Sequence, residues 1–158
     1  MPRSQPYLIV VSDFIKTGGM DRMNHAFAMH VARRGHPVHL VAHRVDADLL
    51  ALPNVPFHPA RRPFGIKVIG QQFIHRIGKK WAKRVAAAGG RVLVNGGNCH
   101  AYDVNWVHFV HAAYTPVVDA GPIRRLKARF ANWLAIRDET AIIPNCKIVI
   151  AYSNRTRT

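Results

Sequence analysis

Acidic side chains are scarce in this sequence. The chain has 8 aspartate and glutamate residues against 23 lysines and arginines, which gives a formal net charge of +15. Between Leu49 and Tyr102 there is no acidic residue at all. A field of this sign attracts phosphate-rich partners and repels cationic ones. The composition therefore favours nucleic acid, anionic lipid or a phosphorylated small molecule as partner, without distinguishing among them.

Cysteines and long hydrophobic runs are also few. The two cysteines, Cys99 and Cys146, lie far apart and indicate no disulfide framework, which fits a reducing cytoplasm. The N-terminal apolar run is closed by Asp13 and is too short for a signal peptide, and no run reaches the ~20 residues of a membrane-spanning helix. The chain has 158 residues, 49% of them hydrophobic, so we expect one domain with a core over residues 1–158.

The most informative stretch runs from Tyr7 to Arg34. A helix from Met20 is predicted by apolar residues at helical spacing, which are Met20, Met23, Phe27 and Val31, with Ala26, Ala28 and Ala32 beside them. The strand before it is Tyr7–Ser12, a short, β-branched apolar run that predicts a buried strand. Between them, Gly18 and Gly19 allow a tight turn beside a helix N-terminus, whose N–H groups suit an anion. The alternative is that these glycines only let strand and helix pack, and the stretch lacks the G-x-G-x-x-G spacing of a dinucleotide site.

The rest of the chain alternates between strand-like and helix-like segments. Further strands are predicted at Val38–Ala42, Val55–His58, Arg91–Asn95, Asn105–Val110 and Lys147–Ala151, and helices over Asp46–Leu52, Arg61–Ala88 and Ile123–Ile143. The strand Val55–His58 contains Pro56 and is therefore expected near a sheet edge. Short connections in this order predict an α/β fold, a Rossmann-like doubly wound parallel sheet with helices on both faces.

The helix over Arg61–Ala88 is basic and amphipathic. Its predicted inner stripe is Ile66, Ile69, Phe73, Ile77, Trp81 and Val85. It either covers the sheet with a solvated outer face or attaches to an anionic membrane through that face. The residues expected to face the membrane are Lys79, Lys80, Lys83 and Arg84. Nucleic acid is a third possibility, but the sequence contains no aromatic-interleaved basic strand and no recognised nucleic-acid-binding motif.

Polar and glycine residues follow several predicted strands. Gly96-Gly97-Asn98 comes directly after Asn95, and His111 follows the strand Asn105–Val110. Ligands of parallel α/β sheets gather beyond the carboxyl ends of the strands, where Gly18 and Gly19 are also expected. His108 is interpreted either as a core histidine or as a second cleft residue. The spacing of Cys99, His100, His108 and His111 matches no usual zinc pattern, so no metal is expected.

The helix over Ile123–Ile143 opens after Gly121-Pro122 and is also predicted to pack through one side. Its predicted core residues are Leu126, Phe130, Trp133, Leu134, Arg137 and Thr140. Glu139, near its end, is either a buried hydrogen-bonding partner for a neighbouring loop or an ordinary exposed glutamate. Ser153, after the last predicted strand, is a plausible N-cap for a following helix.

Three segments together carry a family resemblance. GGMDRM…HVARRGHPVHLVA, WVHFVHAAY and IRDETAIIPNCKIVIAYSNRTR resemble the N-terminal domain of a retaining glycosyltransferase of the family 4 type (group 1), with the GT-B fold. The resemblance spans nearly the whole chain. It implies two Rossmann-like domains across a cleft, in which this domain holds the acceptor and a second domain holds a nucleotide-sugar donor. No further cofactor is then expected.

The resemblance also assigns roles to residues. His111 is the closest match to a histidine that lines the acceptor side near the reacting sugar carbon, so it is the expected catalytic residue. The loop of Gly18, Gly19 and Met20 would lie in the cleft near the donor diphosphate. Other expected cleft-lining residues are His108, Asn95, Gly96, Gly97, Asn98, Glu139, Ser153 and Arg155.

The resemblance further implies partners and a location. The acceptor would be a glycan or a lipid-linked saccharide of the cell-envelope or lipopolysaccharide type, met at the inner face of the cytoplasmic membrane, with no specific nucleic acid. Asp21 stands where a glutamate is more usual. The donor-binding domain is absent from these residues, so this chain alone is not expected to transfer sugar. The alternative is a basic membrane- or nucleic-acid-binding interaction domain without catalysis.

Overall fold

The fold is organised around a parallel β-sheet, seen in a computed structural model that describes residues 4–101, 103–108, 110–113 and 121–151. The predicted cleft residues Ser153 and Arg155 lie outside the described residues, as does Phe109 within the predicted strand Asn105–Val110.

Eight strands and four α-helices follow one another within the described residues. The strands are β1 (Tyr7–Val10), β2 (Asp13–Phe14), β3 (Val38–Ala42), β4 (Arg44–Val45), β5 (Phe57–Pro59), β6 (Arg91–Val94), β7 (Val104–Val107) and β8 (Ile148–Ala151). The helices are α1 (Gly19–Arg33), α2 (Ala47–Leu50), α3 (Lys67–Ala87) and α4 (Pro122–Ile142). Short 3-10 turns lie at Pro63–Gly65, His111–Ala113 and Ile143–Asn145. Each long element was predicted from sequence, whereas the two-residue strands β2 and β4 were not.

The main sheet has the strand order β5-β3-β1-β6-β7-β8, and all its pairs are parallel. The chain starts at β1, builds outward to β5, and returns to the other side of β1 with β6. This is the doubly wound Rossmann order, and its direction reverses between β1 and β6. The predicted fold class is confirmed, and β5 occupies an edge as its prolines indicated.

The two faces of the sheet are covered by different helices. On one face Ile9 and Val11 pack with Ala28 and Val31 of α1. On the other face the alternate residues Leu8 and Val10 pack with α3. Alternation along β1 therefore serves two cores, which is why the strand is apolar at every position.

Helix α1 only partly follows its predicted stripe. Ala28, Val31 and Ala32 are buried as expected, but the polar residues Asn24 and His25 share that buried side. Met20 is 40% exposed and Ala26 is exposed. The polar residues on the buried side contact loop and strand-end groups described below.

Helix α3 covers the sheet with a face that only partly matches the predicted one. Its buried residues are Gly70, Ile74, Gly78, Ala82 and Val85, of which Val85 belongs to the predicted inner stripe. Phe73, Ile77 and Trp81 of that stripe are partly buried against the core, whereas Ile66 and Ile69 are 44% and 39% exposed. A Cβ at Gly78 would lie 2.9 Å from both Cys99 Sγ and Val10 Cγ1, so the helix approaches the sheet too closely there for a larger residue. The contact face is therefore shifted from the predicted stripe toward Ile74 and the small residues beside it.

Most residues predicted to form the inner side of α4 are exposed. Leu126, Phe130 and Trp133 are 70%, 56% and 55% exposed. Arg137 and Thr140 are also exposed, whereas Glu139 and Ile142 are the buried residues of this helix. Among the described residues, the helix packs mainly through its C-terminal half, beside the turns His111–Ala113 and Ile143–Asn145, and its N-terminal apolar residues are exposed. In the described part of the chain, no helix is long and apolar enough to cross a membrane.

Candidate functional site

A cavity of about 600 Å³ lies beyond the carboxyl ends of β1 and β6, where the strand order reverses. Ser12 and Met20 contribute from the β1 side, and the turn Asn95–Asn98 contributes from the β6 side. His111 and α4 close the opposite wall. The reversal leaves a crevice here because the connections from the two central strands lead to opposite faces of the sheet.

His111 and Glu139 form the shortest polar contact of the cavity wall. His111 Nδ1 lies 2.6 Å from Glu139 Oε1, and the backbone N–H of His111 donates to Glu139 Oε2 at 2.9 Å. The glutamate side chain is 6% exposed and the histidine side chain is 39% exposed. A carboxylate accepts hydrogen bonds only, so Nδ1 carries the ring hydrogen, and in the neutral ring the lone pair is on Nε2. Glu139 therefore fixes both the orientation and the tautomer of the predicted catalytic histidine.

The turn after β6 needs its glycines for conformation and for close packing. Gly96 has φ +50°, and a Cβ there would lie 3.5 Å from Glu139 Oε1. A Cβ at Gly97 would lie 3.1 Å from Asp138 Cβ. Asn105, which is buried, holds Gly96 with two hydrogen bonds of 2.9 Å, one to its N–H and one to its carbonyl. The glycines thus let α4 bring Glu139 against the carboxyl end of the sheet.

Amides connect the other walls of the cavity. Asn95 Nδ2 donates to Asn24 Oδ1 at 3.0 Å, which ties the end of β6 to α1. Gln71 Nε2 of α3 donates to Asn98 Oδ1 at 3.1 Å. Within the described residues, Asn24 Nδ2 and Asn95 Oδ1 are buried without a hydrogen-bond partner. Amide side chains in a concave site are suited to hydroxyl-rich ligands because each offers both a donor and an acceptor.

His108 follows β7 and also lines the cavity. Its ring lies 4.7 Å from that of Trp106, which in turn packs edge-on against Phe27. Burial lowers the pKa of His108, which favours the neutral ring. The residue combines the two interpretations that the sequence allowed: it packs against an aromatic residue and faces the cleft.

The glycine loop lies beside the cavity, and only Met20 contributes to its wall. Gly18 has φ +81° and precedes α1 as its N-cap, a conformation that favours glycine. Gly19 is the first residue of α1, and a Cβ there would meet no atom within 4 Å. The free N–H groups at this helix start face the same end of the sheet as the cavity. Gly18 is therefore required by the fold, whereas the space around Gly19 is open to a ligand.

The four predicted membrane-facing residues lie apart from this cavity. Lys79, Lys80, Lys83 and Arg84 are exposed along α3. The guanidinium of Arg84 lies 4.8 Å from the ring centroid of Trp81. Trp81 itself stacks on His58 at 3.7 Å between ring centroids, so it is a packing residue of the fold.

One grouping of acidic residues and histidine was not predicted. Ligand atoms of His25, Asp46 and Asp48 lie within 4.8 Å of one another. Lys16 already compensates part of the negative charge of the group: its Nζ lies 2.9 Å from Asp48 Oδ2, and its backbone N–H donates to Asp46 Oδ2. Hydrogen bonds from Lys16 and His25 lower the pKa of Asp48 to about 2. We interpret this group as a set of polar contacts that joins the β2–α1 loop to α2.

Three residues of the site were not predicted from the sequence: Asn24, Gln71 and Asn105. Asn105 lies within an apolar β-branched run and Asn24 lies on the apolar side of a helix, and a polar residue in such a place indicates a specific partner. That signal was present in the sequence, although the identity of each partner was not.

Comparison with known proteins places this geometry in context. No family model matches the chain, and no curated protein matches it. Among solved structures, the chain is similar to WaaG, a glycosyltransferase involved in lipopolysaccharide biosynthesis, with a TM-score of 0.61 and 18% identity. The match covers 85% of this chain and 35% of the WaaG chain. The chain therefore has an α/β Rossmann-like fold, and this fold is similar to about a third of the WaaG chain.

Proposed function

We propose that this chain is the acceptor-binding domain of a retaining GT-B glycosyltransferase of the family 4 type. The observation that carries the proposal is the His111–Glu139 pair on the wall of the switch-point cavity. The similarity of the fold to part of WaaG supports the same class. Such an enzyme would move a sugar from a nucleotide-sugar donor to a glycan or lipid-linked acceptor of the cell-envelope type.

The acceptor would bind among the amides and the histidine of the cavity. Asn98 and Gln71 are held toward each other at its rim, and Asn95 lies deeper in the wall. In this proposal His111, whose tautomer is set by Glu139, lies against the acceptor hydroxyl and the reacting sugar carbon. Orientation of one ring at a reacting centre is the kind of contribution that a buried carboxylate partner makes.

The donor would be held mainly by a second domain across the cavity mouth. The N-terminus of α1, with Gly19 and Met20, would face its diphosphate, because free N–H groups and the helix dipole stabilise developing negative charge. This role agrees with the open space around Gly19. The donor-binding domain, the sugar and the nucleotide are inferred from the class of enzyme.

A membrane-associated, cytoplasmic setting belongs to the same proposal. Exposed Lys79, Lys80 and Lys83 on α3 would lie against anionic headgroups, each contributing on the order of 1 kcal/mol. A lipid-linked acceptor would then be presented at the surface where the protein is bound.

Saccharide binding by this chain tests the proposal directly. We would record amide spectra of the ¹⁵N-labelled chain while adding cell-envelope oligosaccharides. The expected result is saturable shifts at Gly96, Asn98 and His111, weakened by His111→Ala and unchanged by His30→Ala, which alters an exposed histidine of α1. Vesicle binding without any saccharide-induced shift would instead support a non-catalytic membrane-binding domain.

A further inference from the structure

A second cavity, of about 520 Å³, lies beyond the carboxyl ends of β3 and β5. Its wall includes His43, Arg44, Arg61 and Arg62, together with Ala60 and Gly65. The start of α3 separates it from the first cavity, since Lys67 lines the first and Gly70 backs the second. Neither the proposed acceptor site nor the basic outer face of α3 includes these residues.

The charge of this second cavity is positive and only partly compensated. Arg44 forms a two-pronged ion pair with Asp13, at 2.9 Å from Nε to Oδ1 and 3.1 Å from Nη2 to Oδ2. The residues described as lining this cavity include no carboxylate. Among the described residues, no carboxylate forms an ion pair with Arg61 or Arg62. Two guanidinium groups therefore remain available to a ligand.

Two of the basic side chains are held in place before any ligand binds. Arg62 Nε donates to the carbonyl of Gly65 at 3.1 Å, and His43 Nδ1 donates to the carbonyl of Ala60 at 2.8 Å. A Cβ at Gly70 would lie 2.9 Å from both Arg62 Cγ and His43 Cε1. The glycine thus lets both side chains lie flat against α3. Side chains that are already ordered lose less entropy on binding an anion.

We propose that this second cavity binds a phosphate monoester group. Planar guanidinium forks match the oxygens of phosphate, and a dianion meets the uncompensated charge of Arg61 and Arg62. The volume lies within the ~300–1,000 Å³ of small-molecule sites, which favours a single phosphorylated headgroup or sugar over an extended polyanion. The proposed phosphate site does not depend on sugar transfer, so it can be tested independently of the proposed function.

The phosphate group belongs either to a lipid or to a soluble molecule, and the apolar residues beside the cavity distinguish these two sources. Phe64, next to the cavity, is 95% exposed with φ +54°, and Ile66 is 44% exposed. An apolar turn beside a phosphate site would contact acyl chains if the phosphate belongs to a lipid. A soluble phosphate monoester would make no use of Phe64.

The test begins with soluble ligand. We would titrate the protein with glycerol 3-phosphate by calorimetry and compare the double variant Arg61→Gln/Arg62→Gln with the control Arg22→Gln/Arg33→Gln, which removes equal charge from the exposed side of α1. The expected result is at least a tenfold weaker affinity in the arginine variant and little change in the control. Gly70→Ala keeps every charge but displaces His43 and Arg62, and it is expected to weaken binding with the fold retained by circular dichroism.

A vesicle arm identifies the source. Vesicles containing phosphatidic acid, which has a monoester headgroup, are compared at matched surface charge with vesicles containing phosphatidylglycerol, a diester. A preference for phosphatidic acid that requires Arg61, Arg62 and Phe64 assigns the site to a lipid headgroup, whereas binding of glycerol 3-phosphate without any preference for phosphatidic acid over phosphatidylglycerol assigns it to a soluble ligand. Equal losses in the arginine variant and in the α1 control, for both kinds of ligand, would overturn the proposal.

Discussion

Nδ1 of His111 lies 2.6 Å from Oε1 of Glu139, and the second oxygen of that carboxylate accepts the backbone N–H of the same histidine. The two residues are 28 positions apart and come from different elements. The buried glutamate therefore holds the histidine by its ring and by its backbone. This double contact makes Glu139 a positioning residue whose effect can be separated from that of His111.

Replacing Glu139 by glutamine should change the tautomer of His111. A glutamine amide that donates to Nδ1 moves the ring hydrogen to Nε2, and loss of the charge-assisted bonds should lower the free energy of unfolding by about 1–3 kcal/mol. Imidazole ¹⁵N chemical shifts report the tautomer, and thermal denaturation reports the stability. Asp138→Asn is the matched control because Asp138 pairs with Arg137 at the surface. An unchanged ring tautomer in Glu139→Gln would contradict this role.

The two glycines of the loop should behave differently when enlarged. Gly18→Val forces a β-branched residue into φ +81°, which should cost about 1–3 kcal/mol of stability. Gly19→Val places its side chain in open space, so the unfolding transition should stay close to that of the parent chain. The same Gly19 variant should weaken binding of a diphosphate at the α1 N-terminus. Equal destabilisation by both substitutions would contradict the open space around Gly19.

A pair of histidines should make the fold sensitive to mild acid. His39 Nδ1 lies 3.0 Å from His58 Nε2 under the ring of Trp81. Burial, with the charges of His39 and Arg84, lowers the pKa of His58 to about 4. Because the unfolded chain takes up the proton first, the free energy of unfolding should fall as pH drops from about 6.5 toward 4 and should not fall further on account of this group below that.

The substitution His58→Phe tests the histidine pair. Phenylalanine keeps a ring against Trp81 but does not titrate, so stability should decline less steeply between pH 6.5 and 4.5. Some slope should remain because burial also lowers the pKa of His75 and His108. The control is His30→Ala, at an exposed position on α1. An identical slope in His58→Phe and the parent chain would rule out this source.

The outer face of α3 is predicted to bind anionic vesicles. Reversing the charge of Lys79, Lys80 and Lys83 should abolish most binding to vesicles with anionic lipid, and the binding should weaken with salt. The matched control reverses three exposed arginines on α1 and at its C-cap, on the opposite face of the sheet: Arg22, Arg33 and Arg34. Equal losses in both triple variants would mean that net charge, and not this helix face, drives the binding. Co-sedimentation measures both variants.

The sheet could be predicted from sequence because its signals are local. Short β-branched runs such as Val38–Ala42, bounded by glycine and proline, have few alternatives to a buried strand. Their order and short connections then allow few topologies, and the doubly wound one is observed.

The helix faces could not be predicted because they depend on how closely each helix approaches the sheet. Gly78 and Ala82 lie on the contact face of α3 together with Ile74, beside the predicted stripe of larger residues. Phe130 and Trp133 are exposed because, among the described residues, α4 packs mainly through its C-terminal half. Periodicity alone cannot rank two neighbouring stripes when small residues form part of the true contact.

The sequence predicted where the candidate site lies but not which of its residues contact one another. Strand ends located the turn after Asn95 and suggested His111, but the pairing of His111 with Glu139 depends on where α4 docks. The sequence left Glu139 open between a buried partner and an exposed residue, and the structure resolves this in favour of the buried partner. The tie between Asn24 and Asn95 spans 71 positions and has no local signal.

Sugar transfer itself is the most direct test of the account. The chain, joined to a donor-binding domain of the GT-B class, would be assayed with a radiolabelled nucleotide sugar and cell-envelope acceptors, beside its His111→Ala variant and the His30→Ala control. The expected result is transfer with retention of the anomeric configuration. His111→Ala should abolish this transfer while keeping the fold and the stability measured without acceptor. Full transfer by His111→Ala would contradict the placement of the reacting centre in the switch-point cavity.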